Sequence, residues 1–193
     1  MVAPREADGL GDMDSSRPWY VITGGPSSGK STTIRLLADR GYRVVQEQAR
    51  VIIREQMALG RALEDIRGEG EAFQVQILER QLAAESACDP KEIVFLDRGI
   101  PDGLAYERFL DLNPNPDITV AAHAARYRRI FVLDPLHLHD DGSRIEDDVD
   151  QQRIHDAIVA TYRELGADIV SVPVMDSRER VDFILERIDH AHL

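Results

Sequence analysis

A glycine-rich segment near the start of the sequence has the residue types and the spacing that bind a chain of phosphates. It matches the pattern G-x-x-x-x-G-K-[ST] at every fixed position. Glycines let backbone N–H groups approach phosphate oxygens. Lys30 would neutralise the terminal phosphates and act in catalysis, and the Ser31 hydroxyl would coordinate Mg²⁺. The segment therefore predicts binding of ATP or GTP with magnesium. Its residues are Gly24, Gly25, Pro26, Ser27, Ser28, Gly29, Lys30 and Ser31, with Thr32 after them.

Two acidic side chains follow predicted strands and are candidates for chemistry on the phosphate or its acceptor. Asp97 follows the apolar run 93–96, and Glu47 follows the run 42–46. Asp97 would hold Mg²⁺ directly or through water, whereas Glu47 would orient an acceptor hydroxyl or take its proton. Two structural alternatives stay open, because Asp97 can instead cap the following helix and Glu47 can form an ordinary surface pair.

Two further residues near these acids are candidates for contact with the acceptor. Arg50 follows Glu47 and would either pair with that carboxylate or bind a phosphate of the substrate. Asp102 follows Asp97 closely and is expected at the same edge of the sheet. Both residues are therefore assigned to the substrate side of the predicted site.

The acidic segment 134–150 predicts a mobile lid, at about residues 135–148. Arg144 lies within it, and Arg153 lies early in the next predicted helix. Arginine neutralises the charge that spreads over a transferring phosphoryl group, and lid closure excludes water. Both arginines are candidate nucleotide ligands, and Arg144 is also a catalytic candidate. The alternative is a solvated acidic loop in which Arg144 is paired internally. His137 and His139 are interpreted as bystanders.

Short apolar runs alternate with longer helical patterns, which predicts an α/β domain with a doubly wound parallel sheet of five strands. Ligands of such a sheet bind at the carboxyl ends of its strands, so Arg128 and Arg129, which precede a strand, are placed away from the site. A break in the helical pattern is expected at 113–116. The predicted strands are 19–23, 42–46, 92–96, 130–133 and 169–172, and the predicted helices are 30–40, 48–59, 69–87, 104–110, 149–165 and 178–188.

The composition restricts the class of protein. A chain of 193 residues, 43% of them hydrophobic, fits one domain with its own core. The single cysteine, Cys88, forms no intramolecular disulfide and is typical of the reducing cytoplasm. The net charge of −12 disfavours long nucleic acids as partners, and no apolar run is long enough to span a membrane. Residues 1–17 lack an apolar stretch and are expected to form a disordered leader.

These motifs resemble the small P-loop AAA-type ATPase/kinase family that includes the kinase domains of nicotinamide riboside kinases. The resemblance covers the chain from about Trp19 onward. It rests on Gly24–Thr32, on Glu47 with Arg50, on Asp97-Arg98 and on Asp141-Gly142-Ser143-Arg144.

The resemblance implies a P-loop kinase-like domain over residues 18–193 with sheet order 2-3-1-4-5. It also implies transfer of a phosphoryl group from ATP to a hydroxyl of a small, nucleoside-like acceptor. By position, Glu47 becomes the acceptor-side acid, Asp97 the acid near the metal, Arg98 a substrate contact and Arg144 the cation of the lid. Bifunctional members also carry a nucleotidyltransferase domain, and this sequence has no H-x-G-H signature for one.

Two other functions fit the same phosphate-binding segment. A nucleotide-dependent regulatory NTPase, or switch, would hydrolyse its nucleotide slowly and use no acceptor. A polynucleotide 5′-kinase would need a basic channel, which the acidic balance disfavours. The absence of an N-K-x-D-type guanine signature favours ATP over GTP.

Lys30→Ala is expected to abolish turnover and to leave the fold intact, because it removes only the ammonium group that meets the terminal phosphates. Phosphoryl transfer or nucleotide hydrolysis measures the first effect, and circular dichroism the second. Full activity of the folded variant would contradict the assignment of this segment.

Overall fold

The computed structural model describes residues 17–136 and 145–188, without the side chains of 145–148. Within these ranges it contains five strands and eight helices. The strands are β1 (Trp19–Thr23), β2 (Arg43–Val45), β3 (Val94–Asp97), β4 (Arg129–Leu133) and β5 (Ile169–Val172). The helices are α1 (Lys30–Asp39), α2 (Gln48–Ala58), α3 (Leu63–Gly68), α4 (Glu71–Ser86), α5 (Ile100–Phe109), α6 (Pro116–Ala124), α7 (Ile145–Glu164) and α8 (Ser177–Leu185). No helix in these ranges has the length and hydrophobicity needed to cross a membrane.

All five strands are parallel and form one sheet of order β2-β3-β1-β4-β5. The central strand β1 pairs with β3 on one side and β4 on the other, so that Ile22 lies opposite Asp97 and Phe131. Since β1 and β3 are buried along their whole length, they are apolar at nearly every position. The predicted doubly wound sheet and its order are confirmed.

The core has one layer on each face of the sheet, because successive side chains of a strand point to opposite faces. Val21 packs in a cluster with Ile158 and Tyr162 of α7, and α5 lies against α7 on this face. Tyr20 packs on the other face, in a cluster that includes Leu37 of α1 and residues of α8. The two layers together hold β1 and α1, the elements on either side of the loop that follows β1.

A smaller group of helices packs beside the sheet. Ile52 of α2, Ile66 of α3 and Phe73 of α4 form one apolar cluster. Leu78 of α4 packs with residues of α5 and α6, including Ile118, in another. These five helices, α2 to α6, therefore form a wall next to the edge at which the strands end.

Several helix bounds differ from those predicted. The run 113–116 ends α5 as expected but also begins α6, because the Asn115 side chain caps the helix through Asp117 N at 2.8 Å and Pro116 suits its first turn. Helix α5 begins at Ile100 rather than residue 104, and α7 begins at Ile145 rather than residue 149. The short helix α3 was not predicted. The proposed leader and most of the proposed lid, residues 1–16 and 137–144, lie outside the described residues.

The turn between β3 and α5 is held by the buried carboxylate of Asp102. Its Oδ1 accepts hydrogen bonds from Thr23 Oγ1 and from Arg98 Nη1, the latter at 2.9 Å. Its Oδ2 accepts from Gly99 N at 3.0 Å and from Tyr162 Oη at 2.7 Å. One side chain thus joins β1, the β3–α5 turn and α7 at the edge where the site lies.

Asp102→Asn is expected to lower the free energy of unfolding by about 3 kcal/mol, because a buried amide N–H₂ would replace one acceptor oxygen and leave the Arg98 charge less compensated. Urea unfolding measures the change. Asp65→Asn, at an exposed position of α3, is the matched control and should change it by less than about 0.5 kcal/mol. Equal stabilities of the two variants would contradict this role of Asp102.

Candidate active site

The loop between β1 and α1 has the backbone conformation of a phosphate cradle. Gly24 has φ +134°, and a Cβ at this position would lie 2.5 Å from Leu133 O. Gly29, the residue before α1, has φ +87°, and a Cβ there would lie 2.4 Å from Nη1 of Arg180. Larger residues would therefore meet both steric overlap and backbone strain at these two positions. The loop leads directly into the N-terminus of α1, where unpaired N–H groups favour an anion.

The ammonium group of Lys30 is enclosed by this loop. Its Nζ donates to Gly24 O at 3.0 Å, to Gly25 O at 2.6 Å and to Ser28 Oγ at 3.2 Å, and the residue is only 6% exposed. Burial first, and then the positive charge of Arg98, lower the pKa of Lys30 to about 7. Asp97, Glu47 and Asp102 act in the opposite direction, and a bound phosphate chain would add further negative charge and favour the protonated lysine.

Asp97 ends β3 as a buried carboxylate. Its Oδ1 has no hydrogen-bond partner within the described part of the chain. Burial, with the nearby charge of Glu47, raises the pKa of Asp97 to about 6. Gly99, not Asp97, occupies the cap position of α5, so the capping alternative for Asp97 is not what the structure shows.

The residues present fit a magnesium ion. Mg²⁺ takes oxygen ligands, and a carboxylate oxygen without a partner together with a hydroxyl at the start of α1 is such a set. Asp97 and Ser31 are the residues that would hold the ion, directly or through water. No group of three or more His, Cys, Asp or Glu side chains that could hold a metal ion occurs among the described residues.

Glu47 precedes α2 and pairs with two arginines. Its Oε1 accepts from Arg98 Nε at 2.9 Å, and its Oε2 lies 3.1 Å from Arg50 Nη2. Burial would raise the pKa of Glu47, but the charge and hydrogen bond of Arg98 outweigh it and lower this pKa below its usual value. Arg50 Nη1 also donates to Ser31 Oγ at 2.8 Å. The carboxylate is therefore ionised and lies beside the start of α1, in more than an ordinary surface pair.

The side chain of Arg98 connects these groups. Besides Glu47 it contacts Asp102, Tyr106 Oη at 2.9 Å, and Gly24 O at 3.4 Å. Its backbone has φ +73°, a conformation that costs energy for a residue with a side chain. Burial acts against the charge, but Tyr106 and the two carboxylates hold the pKa of Arg98 well above its ordinary value.

A cavity of about 550 Å³ opens beside the phosphate loop. Pro26 of the loop lines it at one end, together with Glu47 and Arg98. Helices α2 to α6 supply the rest of the wall, which is largely apolar. Its volume is that of a site for a small molecule. The remaining lining residues include Phe73, Gln74, Ile77, Leu78, Gln81, Tyr106, Leu110 and Ile118.

Sequence patterns did not reveal every residue of the site. Arg180 of α8 is 3% exposed and donates from Nη1 to Ser28 O at 2.9 Å, which holds the loop from behind. Gln74 and Gln81 of α4 line the cavity, and both are 5% exposed. No local motif marks these three residues, because their roles depend on segments that are distant in the sequence.

The predicted cations have different positions. Arg153 pairs with Asp150 at 2.9 Å and lies over the ring of Phe109, with no contact to the phosphate loop recorded among the described residues. Its role in nucleotide binding stays a prediction. Arg144, with the rest of 141–144, lies outside the described residues. Arg129 pairs with Asp168 at the amino end of β4, at the edge opposite the site, as the strand direction predicts.

A parallel sheet of order 2-3-1-4-5 with a phosphate loop after its first strand is the fold of P-loop kinases. The family model described as "AAA domain" matches residues 19–180. The chain therefore belongs to this AAA-domain family of P-loop proteins. No curated protein shows a significant sequence match to it.

Three solved structures illustrate the likeness in fold. A NadR protein in complex with NR is 19% identical, with a TM-score of 0.64 over 93% of this chain and 54% of that one. Thymidylate kinase from Ehrlichia chaffeensis is 16% identical, with a TM-score of 0.60 over 87% and 96% of the two chains. Deoxyadenosine kinase from M. mycoides, with bound dCTP, is 13% identical, with a TM-score of 0.60 over 88% and 97%. The chain thus spans about half the length of the NadR protein (54%) and nearly all of the other two.

The free energy of unfolding of the nucleotide-free protein is expected to rise between about pH 7 and pH 9. Lys30 has a folded pKa of about 7 against an ordinary value of 10.5, so in this range the unfolded chain holds a proton that the folded chain has released. Urea unfolding at several pH values measures the slope. Lys30→Met should reduce it, whereas Lys91→Met, at an exposed lysine, should leave it unchanged. Equal slopes in all three proteins would contradict the buried ammonium.

Proposed function

We propose that this protein is an ATP-dependent phosphotransferase that moves the γ-phosphate to a hydroxyl of a small, nucleoside-like acceptor. The observation that carries the proposal is the junction between phosphate loop and cavity. Pro26, Glu47 and Arg98 belong to the cavity wall, and the Arg98 side chain also contacts the loop at Gly24 O. A donor phosphate on the loop and an acceptor in the cavity would therefore meet beside an ionised carboxylate.

The residues divide the work of the transfer between them. The loop N–H groups and Lys30 bind and neutralise the phosphate chain, and Arg180 keeps the loop in shape through Ser28 O. Glu47 would accept the proton of the acceptor hydroxyl, since its paired state keeps it ionised. Magnesium held by Ser31 and Asp97 would supply further positive charge to the phosphate oxygens. Positioning and charge neutralisation are what such a transfer mainly requires.

Arg50 lies where donor and acceptor would meet. Its guanidinium contacts both Ser31 Oγ and Glu47. From this position it can bind either the transferring phosphoryl group or an anionic group of the acceptor. It is 54% exposed in its side chain, which leaves it free to change partner when ligands bind.

The fold comparisons support the same class of acceptor. The structures with this fold include a NadR protein with NR, a thymidylate kinase and a deoxyadenosine kinase. The alternative of a regulatory NTPase gives no reason for a 550 Å³ cavity beside the loop. Neither the regulatory NTPase nor the polynucleotide 5′-kinase is favoured by a specific contact within the described residues.

Transfer is tested by incubating the protein with γ-labelled ATP or GTP and a panel of nucleosides, nucleotides, vitamins and oligonucleotides. The proposal expects label on one small acceptor, with ATP as the better donor. Label found only as free phosphate would refute the kinase and indicate a switch, and label on oligonucleotide 5′ ends would indicate a polynucleotide kinase.

Glu47→Gln is expected to lower the rate of transfer by about 10²-fold or more, because the acceptor hydroxyl loses its base, while the affinity for ATP changes little. Steady-state kinetics and calorimetry with ATP measure the two quantities. Glu55→Gln is the matched control. Glu55 lies on α2, is about half exposed and pairs with Arg80 at an N–O distance of 2.6 Å, and it does not line the cavity. A Glu47 variant with the kinetics of this control would exclude the proposed role.

A further inference from the structure

Four buried side-chain atoms have no hydrogen-bond partner within the described part of the chain. They belong to Asp97, Glu107, His155 and Arg180. The oxygen of Asp97 fits a magnesium ion, and Glu107 and Arg180 each form a hydrogen bond through another atom of the same group. The fourth atom is Nδ1 of His155 on α7, a residue that is 9% exposed and that the proposed transfer does not use. An unpaired buried nitrogen is costly, so it indicates a partner that is acquired when the site is occupied.

His155 packs against the phosphate loop at Gly25. Helix α7 passes so close to the loop that a Cβ built on Gly25 would lie 2.8 Å from Gln151 O and 3.4 Å from the Cβ of His155. The carbonyl of the same glycine accepts a hydrogen bond from Lys30 Nζ at 2.6 Å. The imidazole therefore lies beside the peptide unit that now holds the ammonium group of Lys30.

The charges around the imidazole keep it neutral at pH 7. Burial lowers the pKa of His155 below its ordinary value of 6.5, and the charge of Lys30 on α1 acts in the same direction. Asp134, which follows β4, and Asp156 on α7 oppose this shift without outweighing it. A phosphate chain on the loop would add negative charge close by and favour the imidazolium, in which both ring nitrogens are donors.

We propose that His155 is a positioning residue for the nucleotide: when a phosphate chain occupies the loop, the imidazole takes up a proton from solvent and donates through Nδ1 to Gly25 O, the acceptor that Lys30 leaves as it turns to the phosphates. Helix α7 would thereby hold the loop in its nucleotide-binding arrangement. The inference rests on the proposed function only in placing a nucleotide on the loop, since it needs no acceptor and no transfer.

The experiment uses the full chain and a non-hydrolysable ATP analogue with Mg²⁺. His155→Leu removes the ring nitrogens, whereas His155→Asn keeps a hydrogen-bond donor near the position of Nδ1 but cannot take up a proton. His123→Asn is the matched control, because His123 is an exposed histidine of α6 that does not line the cavity. Calorimetry in two buffers of different ionisation enthalpy gives the affinity and the number of protons taken up at pH 7. NMR of the ¹⁵N-labelled wild-type protein reports the protonation of the His155 ring.

The analogue is expected to shift the His155 ring resonances of the wild-type protein to those of an imidazolium, with the His123 ring unchanged. His155→Leu should weaken binding of the analogue about 10-fold and reduce proton uptake. His155→Asn should recover most of the affinity but none of the lost uptake, and the remaining uptake belongs to Lys30, whose pKa is about 7. A purely structural role would not separate affinity from proton uptake in this way.

A His155 ring that stays neutral with the analogue bound would overturn the inference and leave the proposed function standing. Affinity and proton uptake of wild-type size in both His155 variants would do the same. If His155→Leu does not fold, as judged by circular dichroism, His155→Asn and the wild-type NMR decide the question. The expected proton effects without transfer to any acceptor would refute the proposed function alone, and absence of nucleotide binding by the wild-type protein would overturn both.

Discussion

Arg98 lies where the three segments of the site meet, and its buried guanidinium is shared between the carboxylates of Glu47 and Asp102. Through these contacts it fixes the start of α2 and the start of α5 relative to each other, and it also reaches the phosphate loop at Gly24 O. Its left-handed backbone is tolerated because so many contacts hold it. Removing either carboxylate would leave the buried Arg98 charge less compensated, so the three segments depend on one another.

Burial sets the protonation of the site before any ligand arrives. It weakens the hold of Lys30 on its proton and strengthens that of Asp97, whereas Arg98 keeps Glu47 ionised. At the lysine and at the aspartate, burial and a nearby like charge outweigh the opposite charges around them, and phosphate and magnesium would add further opposite charge. The charge of Glu47 is already compensated by that of Arg98. One buried network can therefore set different protonation states on the donor side, at Lys30 and Asp97, and on the acceptor side, at Glu47.

Donor and acceptor sides also differ in how they are built. The phosphate loop follows the central strand β1, which lies between the two core layers, and Arg180 of α8 donates to the loop at Ser28 O. The cavity is walled instead by α2 to α6, whose small apolar clusters pack beside the sheet. A wall of this kind can change its side chains without disturbing the central strands. Recognition of the acceptor would thus vary independently of nucleotide binding.

The sequence alone determined the phosphate loop, the five parallel strands and the carboxylates at their ends. Those features depend on residues close together in the chain: a glycine pattern followed by lysine and serine, and apolar runs whose ends place Glu47 and Asp97 at one edge. The contacts that these site residues make with distant segments were decided by the tertiary structure alone. Arg180 reaches Ser28 across 152 positions, Asp102 turned out to hold the β3–α5 turn, and Gln74 became a cavity residue only when α4 met α5 and α6. Contacts between distant segments produce no local sequence pattern, because they depend on how the helices and strands pack in the folded chain.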